Sequence, residues 1–182
     1  MPCALTKGFT LDCKDSIGGV KSVRIATLAD YLILAPTVSG AEITAWTGVT
    51  TPFFKYDQLK ETSSMVETIN ASAQNGTVYY TPEVTIVLSK LDHEKRNEIK
   101  LLAQNRLVAI VETNDEVPMY FVVGVSTGLE VSAGTSATGT AYADLSGYSV
   151  TLSGMESAPM LQIEAANAAT LVAAVTSTVT FP

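Results

Sequence analysis

The chain has 182 residues and a formal net charge of −7, and 47% of its residues are hydrophobic whereas only 16% are charged. This length allows one domain with a substantial core, and the hydrophobic content excludes a disordered chain. The negative charge argues against sequence-independent binding of nucleic acid, which requires clustered lysine and arginine.

The N-terminal segment Met1–Asp15 carries polar residues throughout and lacks the apolar region of a secretory signal. No apolar stretch approaches the ~20 residues that span a bilayer. We therefore expect the chain to be made and assembled in the cytoplasm, without membrane contact. Cys3 and Cys13 have no further ligands placed to complete a zinc site. Free thiols are expected there, with a disulfide as the alternative.

Three strands are predicted in the first third of the chain. Val20–Leu28 alternates after a glycine turn, Glu42–Trp46 is short, and Phe53–Lys60 follows it. Ala35–Ala41 is predicted to be a loop.

Asn75-Gly76 predicts the turn of one long β-hairpin over Phe53–Leu88. Both residues tolerate positive φ, which favours a tight type I′ turn. The flanking runs, Ser64–Ser72 and Thr77–Leu88, are rich in β-branched and aromatic residues. Strands in globular domains typically have about 5–6 residues. A hairpin of this length is therefore expected to pair partly with another molecule.

The second strand of this hairpin alternates apolar and polar residues, which is typical of a half-buried strand. Pro82 interrupts the pattern, and proline cannot donate a hydrogen bond to a neighbouring strand. We therefore expect the distal half of the hairpin to leave the main sheet near Pro82. The predicted apolar face consists of Val78, Tyr80, Val84, Ile86 and Leu88.

One flanking helix is predicted over Leu91–Asn105, with Asp92, or Ser89 together with Asp92, as its N-terminal cap. The Ala-rich segment Glu164–Thr170 is also compatible with a helix, before the β-prone Leu171–Phe181. Ser132–Thr140 contains only Ser, Ala, Gly and Thr, and is predicted to be a mobile or partner-ordered loop. The remaining predicted strands are Leu107–Thr113, Val117–Val123, Gly128–Ala133 and Tyr148–Ser153.

No recognisable catalytic or cofactor-binding constellation is present. His93 is the one histidine, and its charged neighbours predict a solvated position on the helix surface. Residues 134–139 are bracketed by glycines but lack the lysine and the helix of a phosphate-binding loop. Two groups of carboxylates are predicted to be solvated rather than to bind a divalent ion: Asp12 with Asp15, and Glu112 with Asp115 and Glu116. We expect no enzyme, no cofactor and no metal site.

The fold class predicted from these elements is mainly β, an antiparallel β-sandwich or barrel with one flanking α-helix at about 91–105 and a long extended hairpin at about 53–88. We expect a single domain over residues 1–182, with an N-terminal arm at 1–17 and a C-terminal extension at 160–182. Trp46, Tyr79 and Tyr80 are expected to pack a sheet or an interface. Low charge and long edge strands leave backbone groups to be paired, which favours self-assembly.

The order of these elements over Gly18–Glu156 resembles that of phage tail tube proteins, the tail tube or Hcp-like fold family. The resemblance rests on the hairpin around Gly-Thr-Val-Tyr-Tyr at 76–80 and on Ser-Lys-Leu-Asp at 89–92 before a charged helix. It also rests on Leu-Val-Ala-Ile-Val-Glu at 107–112 and on the strand-turn-strand ending at 139–156.

This resemblance implies a six-fold ring that stacks into a tube around a channel for DNA, within a virion tail assembled in the host cytoplasm. The partners it implies are further copies of the chain, other tail proteins and DNA that passes without being bound. It also implies that the hairpin and the N-terminal arm reach neighbouring rings, and that the channel wall is acidic. The residues expected at such interfaces are Glu67, Ile69, Gln74, Asn75, Gly76, Val78, Tyr79 and Tyr80.

The alternative is a binding module, either a capsid decoration protein or a carbohydrate-binding β-sandwich. The Ser/Thr/Gly-rich loop and the aromatic residues Trp46, Tyr79 and Tyr80 favour it. A hydrolase is the third hypothesis and has the least support, because His93 and the scattered carboxylates form no catalytic arrangement.

Overall fold

A computed structural model describes residues 7–11, 14 and 16–177 of the chain. The protein is mainly β, with 46% of the described residues in strands and 16% in helices, so the predicted fold class is confirmed. The elements of the described residues are, in order, β1 (Val20–Thr27), α1 (Leu28–Leu34), β2 (Pro36–Ser39), β3 (Glu42–Trp46), β4 (Phe53–Asp57), β5 (Ser64–Ser72), β6 (Thr77–Ser89), α2 (His93–Gln104), β7 (Leu107–Thr113), β8 (Tyr120–Val123), β9 (Glu130–Ala137), β10 (Gly147–Ser153), β11 (Leu161–Ile163), α3 (Ala168–Val175) and β12 (Thr176–Ser177).

The strands form two curled sheets that together resemble half of a barrel. The larger sheet has eight strands in the order β12-β4-β1-β7-β8-β11-β3-β2, and the smaller has four in the order β5-β6-β10-β9. All pairings are antiparallel except β11 with β3 and β12 with β4. The larger sheet is therefore mixed rather than purely antiparallel.

Two hydrophobic clusters lie on opposite faces of the larger sheet. The first cluster lies between the two sheets, where Val23 and Ile25 of β1 face Val84 and Ile86 of β6. Leu102 of α2 also belongs to this cluster. Alternation along β1 and β7 sends every second residue to the other face. There the second cluster packs against α1 and α3.

Strand β7 belongs to both clusters, which explains its unbroken apolar sequence. Leu107, Ala109 and Val111 contribute to the first cluster, whereas Val108 and Ile110 contribute to the second. A strand that is buried on both faces reads as a continuous hydrophobic run. The bounds predicted for β3 and β7 are confirmed, and those of β1 differ by one residue.

The hairpin is shorter than predicted, since it covers Ser64–Ser89 rather than Phe53–Leu88. Phe53–Asp57 forms β4, which pairs with β1 in the larger sheet. The turn is also not a two-residue type I′ turn, because Ser72 pairs directly with Thr77 and leaves four residues between them. Gly76 has φ +62°, whereas Asn75 is not among the non-glycine residues with positive φ.

Two predicted loops contain strands. Most of Ser132–Thr140 lies in β9, which pairs with β10 along its length. Backbone hydrogen bonds to β10 order this segment, although its small side chains offer little to pack. Ala35–Ala41 contains β2, which pairs with β3. Composition alone predicted loops because neither segment carries an apolar stripe.

The described residues contain three helices rather than one. The predicted helix is confirmed as α2, where the Asp92 side chain accepts a hydrogen bond from the His93 amide at 2.7 Å. Helix α1 begins after Thr27, whose hydroxyl accepts from the Asp30 amide at 3.2 Å. It ends at Leu34, and the capping residue Ala35 adopts a left-handed conformation before Pro36. Helix α3 begins at Ala168 in the Ala-rich segment and continues to Val175, so residues 171–175, which were predicted to be β-prone, are helical.

Glu112 is buried, contrary to the prediction that it would be solvated. Its side chain lies on the face of the larger sheet that carries the second cluster, because alternation along β7 points it away from the first cluster. The Ser22 hydroxyl donates to its Oε2 at 2.7 Å, and the Arg24 guanidinium lies 3.0 Å from the same oxygen. Lys21 reaches Oε1 at 3.0 Å from the solvent side. Since three donors satisfy the carboxylate, its burial is tolerated.

Candidate assembly surface

The hairpin extends past the strand that supports it. Strand β10 pairs with β6 only from Gly147 opposite Ser89 to Ser153 opposite Glu83. Beyond that point β5 and β6 continue to pair with each other as far as Ser72 opposite Thr77. We call residues 68–81 the arm. The expectation that the distal half leaves the main sheet near Pro82 agrees with this geometry.

Pro82 is accommodated because its nitrogen faces the side of β6 where the β10 pairing ends. Tyr80, two residues earlier and therefore of the same orientation, exchanges two backbone hydrogen bonds of 2.8 Å with Glu156 on that side. The Pro82 carbonyl accepts from the Gly154 amide at 3.2 Å. The amide hydrogen that proline lacks would not have bonded to β5, so the pairing of β5 with β6 continues past Pro82.

The base of the arm is fixed by two contacts with the segment after β10. One is the Tyr80–Glu156 bridge, and Glu156 itself is buried, where its carboxylate accepts from the amides of Ser126 and Thr127 at 2.9 and 3.1 Å. The other is Glu67, whose Oε1 accepts from the Met160 amide at 2.7 Å. The arm therefore projects from a supported base.

One face of the arm continues the hydrophobic core into solvent. The pairing places Met65 opposite Val84 within the first cluster, and then Ile69 opposite Tyr80 and Ala71 opposite Val78 on the same face. Ile69 is 66% exposed and Val78 is 55% exposed. We call Ile69, Ala71, Val78 and Tyr80 the apolar strip. An apolar face at the end of a supported hairpin is typical of an interaction surface.

The predicted interface residues all lie on or next to the arm, but they do not share one face. Ile69, Val78 and Tyr80 belong to the apolar strip, whereas Tyr79 points to the opposite face beside Asn70. Gln74, Asn75 and Gly76 form the exposed tip, and the Asn75 amide donates to the Ser72 hydroxyl at 3.3 Å. Glu67 is only partly exposed, because it fixes the base of the arm.

The four-stranded sheet carries no positive charge. None of the residues in β5, β6, β9 and β10 is a lysine or an arginine, although the chain contains 11 of these residues. The sheet does contain Glu67, Glu83 and Glu130. Its outward face carries hydroxyl groups instead, including Thr85 and Thr151, whose oxygens lie 3.3 Å apart. The four strands themselves offer a polyanion no cation, although Arg106 lies 3.6 Å from Glu130 at the start of β9.

Both outer edges of this sheet are open in the described part of the chain. Strand β5 pairs only with β6, and β9 pairs only with β10. Edge strands present unpaired amide and carbonyl groups, which can pair with another chain. One edge has nine residues and the other has eight. The sheet can therefore be extended on either side by a second copy.

The structure also gives the contacts of His93, Asp115 and Trp46, which the sequence singled out outside the arm. The His93 side chain is 83% exposed and lies 3.0 Å from Asp92. The Asp115 carboxylate accepts from the Ile17 amide at 2.7 Å. Trp46 donates to the Leu171 carbonyl at 2.9 Å and packs against the second cluster, as expected for a packing residue. Cys3, Cys13, Asp12 and Asp15 lie outside the described residues.

Sequence reasoning did not find the buried group around Glu112. Burial would raise the pKa of this carboxyl, but hydrogen bonds from Ser22, Lys21 and Arg24 together hold the pKa below its ordinary value.

Among the residues described, no three His, Cys, Asp or Glu side chains come together as a metal site. None of the helices described is long and apolar enough to span a membrane.

No protein-family model matches the chain, and neither the curated proteins nor the solved structures include a significant match.

Proposed function

We propose that this chain is a structural subunit of a phage tail tube, which assembles into stacked rings around a channel for DNA. The observation that carries the proposal is the four-stranded sheet, which is open at both edges, contains no lysine or arginine and extends into an apolar arm. These three properties correspond to the three requirements of a tube: lateral closure, a passive channel wall and contact between rings.

Lateral closure uses the open edges. Strand β5 of one copy pairs with β9 of the next, so that the same heterologous contact repeats around a ring. Main-chain hydrogen bonds supply much of the affinity in such strand pairing. The symmetry expected from the resemblance is six-fold. Because β5 and β9 are the two ends of one sheet, each copy would add four strands to a continuous wall.

The passive wall is the outward face of this sheet. DNA is a dense polyanion that binds proteins chiefly through lysine and arginine. A wall with hydroxyl groups and glutamate would repel it weakly and let it pass. Glu83 lies on this face, opposite to the side of Val84 and Ile86. In this function the chain has no catalytic residue, no cofactor and no metal, and its partners are other copies and other tail proteins.

The alternative of a capsid decoration or carbohydrate-binding module has less support in this geometry. The indole nitrogen of Trp46 is engaged by a backbone carbonyl, and most of the Ser/Thr/Gly-rich segment is a paired strand. Two of the features that favoured a binding module therefore have structural roles.

The test is negative-stain electron microscopy of the purified protein over a range of concentration and salt. Rings or tubes with a central channel are expected. A strictly monomeric protein at the highest concentration, confirmed by light scattering, would overturn the proposal. Binding to capsids or glycans without self-assembly would favour the alternative.

A further inference from the structure

The turn at the tip of the arm contains a pair of residues that can react with each other. Asn75 is followed directly by Gly76, and no other asparagine of the sequence precedes a glycine. Glycine has no Cβ, so its backbone nitrogen can approach the side-chain carbonyl of the preceding asparagine without steric obstruction. Gly76 has φ +62°, and a Cβ at this position would meet nothing within 4 Å. The space around the pair is therefore open.

The two reacting groups are also free of competing contacts. The Asn75 backbone amide donates to the Ser72 hydroxyl at 3.3 Å. The Asn75 side chain and the Gly76 amide, in contrast, have no hydrogen-bond partner among the described residues. Both residues are exposed. The side chain can therefore rotate towards the Gly76 nitrogen, and solvent reaches both groups.

The other asparagines are restrained. Asn97 lies inside α2, where the amide of the following residue is part of the helical hydrogen bonding. The remaining four donate through the side-chain nitrogen: Asn70 to the Thr81 hydroxyl at 2.9 Å, Asn105 to the Leu101 carbonyl at 2.8 Å, Asn114 to the Gly18 carbonyl at 3.3 Å and Asn167 to the Glu164 carboxylate at 2.8 Å. Exposure, an unrestrained side chain and a following glycine thus coincide only at Asn75.

We propose that Asn75 is a site of spontaneous deamidation. The Gly76 nitrogen loses its proton to solvent base and attacks Cγ of Asn75. The new N–C bond closes a cyclic succinimide, and the side-chain nitrogen leaves as ammonia. Water then adds to either ring carbonyl and breaks its bond to the ring nitrogen, which yields aspartate or isoaspartate. Water is the only co-reactant, no electrons are transferred, and the intramolecular attack benefits from proximity.

Deamidation places a charge in a segment that has none. Residues 68–81 include no acidic or basic residue. The new carboxylate is ionised near neutral pH, and the isoaspartate form also adds a carbon atom to the main chain of the turn. The chemistry is independent of the proposed tube function, but its consequence rests on that function. A charged tip resists burial against another copy, so subunits that age before assembly should join tubes less readily.

Peptide mapping by mass spectrometry tests the modification. Protein incubated at mildly alkaline pH is compared with a fresh sample digested in parallel, and conversion of amide to acid is followed at every asparagine. Conversion should accumulate at Asn75, with isoaspartate among the products, and Asn70 and Asn114 should stay unconverted. Asn75→Gln is the matched control, because its longer side chain keeps the amide but closes a ring far less readily. It should show no conversion at this position.

Two results of the mapping would overturn the proposal. The first is equal conversion at Asn70, Asn75 and Asn114, or none at Asn75, since the structure singles out that residue. The second is aspartate without isoaspartate, because direct hydrolysis gives aspartate alone whereas the succinimide opens to both.

A sedimentation experiment separates this inference from the tube function. Partly converted protein is allowed to assemble, and converted chains should be enriched several-fold in the supernatant over the tubes. Asn75→Asp should show the same weakened assembly, and equal partition would overturn the stated consequence. If fresh protein forms tubes but Asn75 does not convert, the deamidation is wrong and the tube function stands. If Asn75 converts but fresh protein forms neither rings nor tubes, the deamidation stands and the tube function is wrong.

Discussion

The Glu112 carboxylate lies 3.0 Å from the Arg24 guanidinium in a buried site between β1 and β7. Arg24 also donates through Nε to the Thr176 hydroxyl at 3.1 Å, and that hydroxyl donates to the Val172 carbonyl at 2.6 Å. The ion pair therefore connects the centre of the larger sheet to the end of α3 and the start of β12.

Replacement of Glu112 by glutamine should destabilise the protein, because it leaves the Arg24 charge buried without a counterion. Removal of one partner of a buried pair typically costs about 3–5 kcal/mol. Urea unfolding followed by circular dichroism measures this change. Lys100→Gln is the control, since that lysine is exposed on α2, outside the Glu112 site, and its midpoint should stay close to that of the wild type. Equal midpoints for Glu112→Gln and the wild type would contradict the role of the pair.

The contribution of Glu112 should depend on pH in a defined direction. Its folded-state pKa is held below the ordinary value of 4.5, despite burial, by hydrogen bonds from Ser22, Lys21 and Arg24. The stability it provides is therefore fully present above pH 4.5 and is lost as the pH falls through the folded-state value. The difference in unfolding free energy between the wild type and Glu112→Gln should shrink below that pH. A difference that is constant from pH 7 to about pH 3 would contradict this account.

Gly147 should not tolerate a side chain, whereas Gly134 in the neighbouring strand should. A Cβ on Gly147 would clash with the Leu88 carbonyl oxygen, which is backbone and cannot turn aside. A Cβ on Gly134 would meet its nearest atom, the Ser149 carbonyl oxygen, at 3.8 Å. Gly147→Ala should cost about 1–3 kcal/mol, as overpacking does, and Gly134→Ala should be close to neutral. Calorimetric melting of the two variants makes the comparison, and similar melting temperatures would show that the β6–β10 pairing is looser than described.

The sequence identified the strands with strong local signals. In β1 and β6 the alternation of apolar residues was sufficient to identify a strand. In β7 burial on both faces produced an unbroken apolar run, which identified that strand. The prediction of a long arm beyond Pro82 also followed from local chemistry, since proline removes one backbone donor.

Other features depend on contacts between distant segments, which local patterns do not contain. The Glu112 site joins residues about 90 positions apart, as its hydrogen bond with Ser22 shows. The pairing of β4 with β1 rather than with the hairpin, and of β9 with β10, is likewise set by tertiary contacts.

The two faces of the arm should respond differently to charge. Ile69→Glu places a carboxylate on the apolar strip, where burial against another copy would remove it from water at considerable cost. Thr68→Glu, one residue earlier, places the same group on the outward hydroxyl face. We expect Ile69→Glu to prevent assembly and Thr68→Glu to permit it, as measured by light scattering during concentration. Assembly of both variants at the wild-type concentration would exclude the apolar strip as an interface.

Shortening the arm is the most direct test of the claim that it serves assembly rather than folding. Replacement of residues 71–78 by Asn-Gly joins Asn70 to Tyr79, which already face each other across the hairpin, and removes the tip together with Ala71 and Val78 of the strip. Sedimentation velocity, with thermal melting of the same samples, then compares this variant with the wild type. The account predicts a folded monomer with a melting temperature near that of the wild type and no rings or tubes. Wild-type assembly by the shortened protein, or its unfolding, would contradict the account.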